Sequence, residues 1–495
     1  MREVVPRYRA KIAGLVLLVA LPAHADEERG LPFSLGPVDF TFTVDTATSF
    51  QSVQNAQHGI GTTSRSRERA GGRQWMEGFV KPTVGFEWQD TNAGEAYGKA
   101  SVVATATRGA GEAGATSTTS DQPEYLALND LYVGWRSGLL FGDVVAPNAL
   151  DISVGNQEFT VGDGFLLTNG TLDGGGRAAY YLGPRNTFER TAILKLNTEP
   201  VRADLFHLES GVDQKRMRAA DNPATKMYGA NVEWFQSSEN DEGRFDYAKR
   251  KWSVGVTYIK VYDADHDFSF TGSQGGGVAT ANRDGLQSYS LRAGGSFIPG
   301  LEDLALYGEW ARQRNTAGSN GGTVRAGAWY VQPQYTFSAL PWKPMVTWRY
   351  AHFSGDSNGT DTVDRSWDPL YSDAGPRGGT TWTQGQIYSQ YVGANTNLNS
   401  HYVGFEVEPL NEVLKVGLAY FRHDFDKPTQ AGATSKHLMD EVDLYATWTT
   451  PVPGVALAPT LAMGRPGNGQ KQALGATDAN DRTIWLGQII MTYAF

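Results

Sequence analysis

The chain contains no cysteine. That excludes a disulfide framework and a lipid-modified cysteine behind a cleavage site. Long apolar runs are also missing. After residue 25 nothing approaches the ~18 consecutive apolar residues a transmembrane helix needs. Positive charge is in deficit: 43 Lys and Arg stand against 53 Asp and Glu, a formal charge of −10. A nucleic-acid partner needs a basic surface, so none is expected. The eight histidines are scattered, with none at zinc-ligand spacing. No glycine loop ends in Lys-Ser/Thr to cradle a phosphate, and no cofactor is expected. A Pro/Ser-rich linker is missing too, as is the ~40–50-residue repeat of a propeller.

Aromatics at 12%, 58 glycines and a terminal Phe495 are abundant by contrast. Arg2, Arg7, Arg9 and Lys11 precede the short apolar stretch Ile12 to Leu21, and Ala23-His24-Ala25 has the small-x-small form of a signal-peptidase site. Residues 1–25 therefore read as a secretory signal peptide, leaving Asp26 first in the mature chain. The expected organisation is a periplasmic N-terminal segment at 26–37 and one β-domain at 38–495.

The β-domain is written in period 2. Val38, Phe40, Phe42 and Val44 alternate with Asp39, Thr41, Thr43 and Asp45. Near the end, Trp485, Ile489, Met491, Tyr493 and Phe495 share one face, with Gln488 and Thr492 on the other. Apolar and polar faces on one strand require apolar matter on one side and water on the other. The same alternation recurs at 76–88, 251–258, 329–337, 346–350, 403–408 and 441–448. A mean hydropathy of −0.39 fits, because only alternate residues of a barrel face lipid.

The pattern predicts an all-β, transmembrane antiparallel β-barrel of about 18 strands in the outer membrane of a Gram-negative bacterium, each near the bilayer-crossing length. The strands start near 38, 73, 95, 124, 150, 186, 201, 226, 250, 286, 302, 326, 343, 399, 413, 440, 456 and 482. Several even joints are short turns, while most odd joints are long and polar: 49–72, 109–123, 161–185, 209–225, 263–284 and 355–398. Short periplasmic turns and long outer loops produce that parity. Joints 137–149 and 236–249 are longer than it wants, leaving room for a missed or split strand there. Outer-membrane lipid and lipopolysaccharide are the expected surroundings.

About 18 strands enclose a lumen wide enough for water. Inward parity places Lys81, Lys99, Lys195, Arg202, Lys251, Arg292 and Arg349 in or near the pore. It does the same for Glu77, Glu87, Asp204, Glu233, Glu309 and Glu406. Fixed charges in a narrow aqueous tube select ions, and cross-strand pairs stiffen a wall. The basic set forms a track for an anionic solute, and Lys81, Arg292 and Arg349 are its expected steering residues. Of the long joints, 161–185 is the first candidate for an infolded constriction, through Gly174-Gly175-Gly176-Arg177, and 355–398 is the second.

Val154-Gly155-Asn156-Gln157-Glu158 followed by Gly162-Asp163-Gly164 resembles a motif of the alginate-export-type outer-membrane porins, in which a strand with a Gly-Arg-Gln-like sequence leads into a loop. Asn156 stands where that family commonly carries arginine. The resemblance covers nearly the whole mature chain. It implies passive transport of an acidic polysaccharide or a smaller anionic, hydrophilic solute through a basic constriction.

Two motifs point elsewhere. Gly355-Asp356-Ser357-Asn358-Gly359 matches the G-x-S-x-G nucleophile pattern of an outer-membrane hydrolase, but no amphipathic helix follows it, and a polar turn explains it. Asp263-Ala264-Asp265-His266-Asp267 opens like a calcium loop, yet Phe268 replaces the required glycine and Gln274 the bidentate glutamate. A loop-mediated adhesin with a plugged barrel is the third class of function. Conductance separates it from a channel, and no enzymatic activity is expected.

Overall fold

The structure is a computed structural model that describes residues 30–55, 58, 72–90, 93–109, 122–140, 148–168, 170, 178–210, 225–237, 250–264, 269–271, 277–279, 283–315, 323–372, 384–475 and 482–495. The expected signal peptide, 171–177 with its glycine run, and 265–268 lie outside the described residues.

The first nine barrel strands are β1 (Val38–Gln54), β2 (Arg73–Asp90), β3 (Gly94–Gly109), β4 (Glu124–Arg136), β5 (Leu150–Gln157), β6 (Phe188–Asn197), β7 (Val201–Ser210), β8 (Thr225–Ser237) and β9 (Arg250–Ala264). The second nine are β10 (Gln287–Gly295), β11 (Leu304–Asn315), β12 (Thr323–Thr336), β13 (Met345–Phe353), β14 (Leu398–Val407), β15 (Leu414–Phe425), β16 (His437–Thr449), β17 (Val455–Pro466) and β18 (Ile484–Ala494). Among the described residues these 18 strands form one closed antiparallel barrel. Each pairs with its sequence neighbour, and β18 returns to β1 in the register Asp45↔Ala494 to Gln54↔Trp485. Closure satisfies every strand's backbone groups without an open edge, as a bilayer demands.

The strand starts expected from period 2 hold closely. The largest offsets are 326 against Thr323 and 440 against His437. Parity also holds. In β18, Trp485 and Ile489 are exposed while Leu486, Gln488 and Ile490 are buried. Leu126 is 67% exposed, Leu461 63% and Trp234 57%, and similar side chains circle the outer wall. An apolar belt of this extent is stable only against lipid. The long joints 137–149 and 236–249 carry no further strand among the described residues.

The N-terminal segment is more ordered than a simple lead-in. Leu31–Leu35 folds back antiparallel on the start of β1, pairing Leu31 with Phe42 and Leu35 with Val38. It takes the place β18 vacates, because the chain ends where the Phe495 and Val44 amides exchange hydrogen bonds of 3.1 Å with each other's carbonyls. Phe33 stacks on Phe40 with ring centroids 5.0 Å apart.

Candidate functional site: a lumen crossed by two loops

The lumen is not an empty tube. The outer loop after β5 and the outer loop after β13 both turn inward. Phe159, Val161, Phe165, Leu166 and Leu167 of the first loop join Trp367, Leu370, Tyr371, Tyr388 and Tyr391 of the second in one buried cluster, together with wall residues. Phe165 anchors that cluster, 5.4 Å from the Tyr330 ring and 5.8 Å from Phe353. The two loops also bond to each other: the Thr168 amide donates to Tyr371 O (2.9 Å) and the Tyr371 amide to Leu166 O (3.2 Å). The described parts of both candidate loops therefore pack inward and are joined into one element. Burial raises the phenol pKa of Tyr181, Tyr371, Tyr388 and Tyr391, so these loop tyrosines stay neutral.

Wall side chains, and Arg283 of the loop before β10, hold these loops. The first loop's turn at Gly162-Asp163-Gly164 reaches across the barrel, where Tyr330 donates to Asp163 (3.3 Å) and Arg250 lies 3.5 Å from its carboxylate. Returning, the loop donates its Ala179 amide to Thr107 (2.9 Å) and its Leu182 amide to Glu77 (3.1 Å). Gln488 of β18 donates to Tyr181, which donates in turn to Gln386 of the second loop. In the second loop, the Ile387 and Tyr388 amides both donate to the Glu441 carboxylate, at 2.6 and 2.8 Å, and the Gln386 amide to Asp443. Arg283 grips Asp368 through two nitrogens, at 2.8 and 2.6 Å. Charge-assisted bonds are the stronger ones. Glu441→Ala removes the acceptor of two amides, which costs about 2–3 kcal/mol of loop anchoring. The expected readout is a noisier open-channel current than the wild type shows; an equally quiet trace would separate Glu441 from the constriction.

Every charged residue assigned inward from the sequence lies on the inward parity of its strand, but their settings differ. Register assembles part of them into a transverse ladder. Glu95, Arg136, Asp151, Lys195 and Asp204 are successive cross-strand partners from β3 to β7. One step along, Arg202 faces Glu233, and Arg292 faces Glu309. Signs alternate along both rows. Arg136 lies 3.2 Å from Glu95 and 3.7 Å from Glu87, with its guanidinium 3.9 Å over the Tyr97 ring. Lys99 lies 3.4 Å from Asp130, and Arg202 3.3 Å from Asp204. Glu406 meets Lys415 at 3.7 Å.

Two of the expected steering residues are structural. Arg292 is buried, donates to Glu233 and to Thr257 (2.7 Å), and carries Gly162 of the first loop on its side chain. It reaches Glu233 because Gly255 stands between them on β9; a Cβ there would sit 2.8 Å from the guanidinium carbon. Arg349 is fully buried, donates to Gln384 of the second loop (3.1 Å) and lies 5.2 Å over Tyr402. Lys81, Lys195 and Lys251 face inward without an ion-pair partner at contact distance among the described residues.

Of three motif positions, one shifts and two keep the setting expected of them. Asn156 falls opposite Leu131, an outward-facing residue, so it lies on the lipid-side parity and removes no lumen charge. It continues the outward alternation of Ile152 and Val154. Ser357 is exposed in a turn where Asp356 accepts from the Asn358 amide and Arg365 lies 3.1 Å from Asp361. It has the polar-turn setting rather than a nucleophile elbow. Asp263 ends β9 in a 2.7 Å ion pair with Lys226.

A closed 18-stranded barrel, an apolar outer belt and a charged lumen narrowed by infolded loops define an outer-membrane porin. The family model described as alginate export matches residues 54–442, and the chain belongs to that family. No curated protein matches. Among solved structures, OccK5 (OpdH) of Pseudomonas aeruginosa is 10% identical with a TM-score of 0.52, covering 92% of this chain and 98% of that one. OccAB2 of Acinetobacter baumannii is 11% identical with a TM-score of 0.52, at the same coverage. OpdK of Pseudomonas aeruginosa, solved with vanillate, is 10% identical with a TM-score of 0.52, covering 92% of this chain and 98% of that one. These likenesses show the barrel fold, and membership of the alginate-export family places it in the Gram-negative outer membrane.

Proposed function

We propose that this porin passes small hydrophilic anions, of the acidic-saccharide class, by diffusion along a lysine-lined path beside the joined loops. One observation carries the reading. The acids of the lumen are largely committed, in ion pairs with Arg136, Lys99, Arg202, Arg292 and Lys415 or as acceptors of loop amides. Lys81, Lys195 and Lys251 have no such partner within ion-pair distance among the described residues. The charge left to meet a solute is therefore positive, although the whole chain is acidic. Membership of the alginate-export family supports an acidic saccharide as the cargo, and the loop crossing favours single units or a single extended chain over a branched polymer.

Ion selectivity tests this. In a planar bilayer with a salt gradient, the wild type should show a reversal potential on the anion side. Lys81→Glu, Lys195→Glu and Lys251→Glu together should move it to the cation side. A cation-selective wild type, or a triple variant with unchanged potential, would overturn the proposal.

A further inference from the structure

On its outer surface the barrel carries a second basic cluster, unrelated to the lumen. Lys260, Gln287, Arg314 and Arg325 are successive cross-strand partners on β9 to β12. Arg312 lies two residues below Arg314, opposite Tyr289. Parity turns all four cations outward: Arg312, Arg314 and Arg325 are exposed, alternating with buried Ala311, Gln313, Val324 and Ala326. Gln287 and Tyr289 share that outward face with exposed Leu291.

The height of the cluster is informative. Directly below it Leu291, Trp310 and Trp329 stand side by side in register, all exposed on the lipid face. Tyr335 and Phe337, lower on the same face, mark the other interface. Arg325 lies four residues above Trp329, about 13 Å along the strand. The odd strands rise from the periplasmic N-terminal end, so the arginines project from the outer-leaflet rim. There the outer leaflet presents the phosphorylated glucosamines of lipopolysaccharide.

None of the four makes an ion pair with a described residue. Arg314 donates to Tyr289 (2.7 Å) and lies 5.0 Å over its ring, and Lys260 donates to the Gly285 carbonyl (2.6 Å). The three arginines line a cavity of about 720 Å³ together with Tyr289 and Trp310, and Lys260 stands on the same outward row. Four like charges without counter-ions are unfavourable unless an anion joins them.

We propose that Lys260, Arg312, Arg314 and Arg325 form a binding site for the phosphates of lipid A, with its acyl chains lying down the wall over Trp310, Leu291 and Trp329. Arginine forks suit phosphate oxygens, and the indoles beneath suit the boundary between headgroup and chain.

The test uses the full-length barrel, purified in detergent and stripped of lipid, titrated with hexa-acylated diphosphoryl lipid A and followed by native mass spectrometry. The wild type should hold one lipid A tightly, and Arg312→Gln/Arg314→Gln/Arg325→Gln should bind it at least about tenfold more weakly. Dephosphorylated lipid A and phosphatidylglycerol should both bind the wild type poorly. Equal retention of lipid A by the triple variant would overturn the proposal, as would equal binding of dephosphorylated lipid A or of phosphatidylglycerol. Because these side chains project away from the wall, the variant should keep its heat-modifiable folded form on electrophoresis. The milder Lys260→Gln/Arg325→Gln pair supplies the same comparison should the triple variant misfold.

Discussion

Replacing residues 162–182 by a short Gly-Ser connection should raise single-channel conductance several-fold. The joined loops lie across a barrel whose strand number alone allows an aqueous channel. Removing the first loop strips Phe165 from Tyr330, Phe353 and Trp367, and takes away the Leu166–Thr168 segment to which Tyr371 is bonded. The second loop keeps its own contacts with Glu441 of the wall and with Arg283 of the loop before β10. It remains as a partial obstruction, so the conductance should rise without reaching that of an open cylinder. The variant should still fold, because the strand ladder closes through backbone bonds independent of either loop. Unchanged conductance, measured in the same bilayer and salt, would mean that ions do not pass these loops.

Arg292→Ala should be the most damaging single lumen substitution. The guanidinium is the buried donor to Glu233 and Thr257 and the floor beneath Gly162. Its loss takes from the Glu233 carboxylate, only 1% exposed, the cation that donates to it. Breaking a buried ion pair from one side costs about 3–5 kcal/mol. A lower urea midpoint for unfolding from lipid vesicles would register this. Arg292→Met with Glu233→Met should recover most of the loss, since no charge is then stranded. Gly255→Val should repeat part of the damage without touching any charge, by driving a side chain into the guanidinium. A midpoint unchanged in Arg292→Ala would show that the pair is not structural. Ion selectivity separates this role from steering: the triple lysine variant should move the reversal potential more than Arg292→Ala does.

Much of this was legible in the sequence. Period 2 marked each strand within a few residues, because a wall between lipid and water dictates side-chain polarity residue by residue. The inward charges followed from the same parity. The two long outer joints 161–185 and 355–398 also stand out, but by length and by the Gly174–Arg177 stretch, while the apolar residues that bury them, such as Phe165 and Trp367, sit in segments that read as polar loops. What stayed hidden depends on register. The alternating ladder Glu95–Arg136–Asp151–Lys195–Asp204 joins five strands, and its order is set by how each slides against the next. Arg136 escaped notice because the bulge in β4, opposite Ala100 and Val102, buries both Asn129 and Asp130 and reverses the parity of all that follows. Asn156 lies on the lipid side by the same alternation as Ile152 and Val154, so the motif comparison with the family, and not the strand period, had set it in the lumen. The Arg283–Asp368 pair lies in two loops with no period at all, and its only signal was charge in a segment otherwise suited to solvent.

The absence of cysteine makes a direct test simple. Lys99 and Ala100 are neighbours on β3, one turned to the lumen and the other exposed to lipid. Each is replaced singly by cysteine, and a charged methanethiosulfonate reagent is added while one channel conducts in a planar bilayer. A stepwise fall in current for Lys99→Cys, with none for Ala100→Cys, is the result an aqueous lumen behind a lipid-facing wall requires. Equal modification of both positions, or a current indifferent to both, would contradict it.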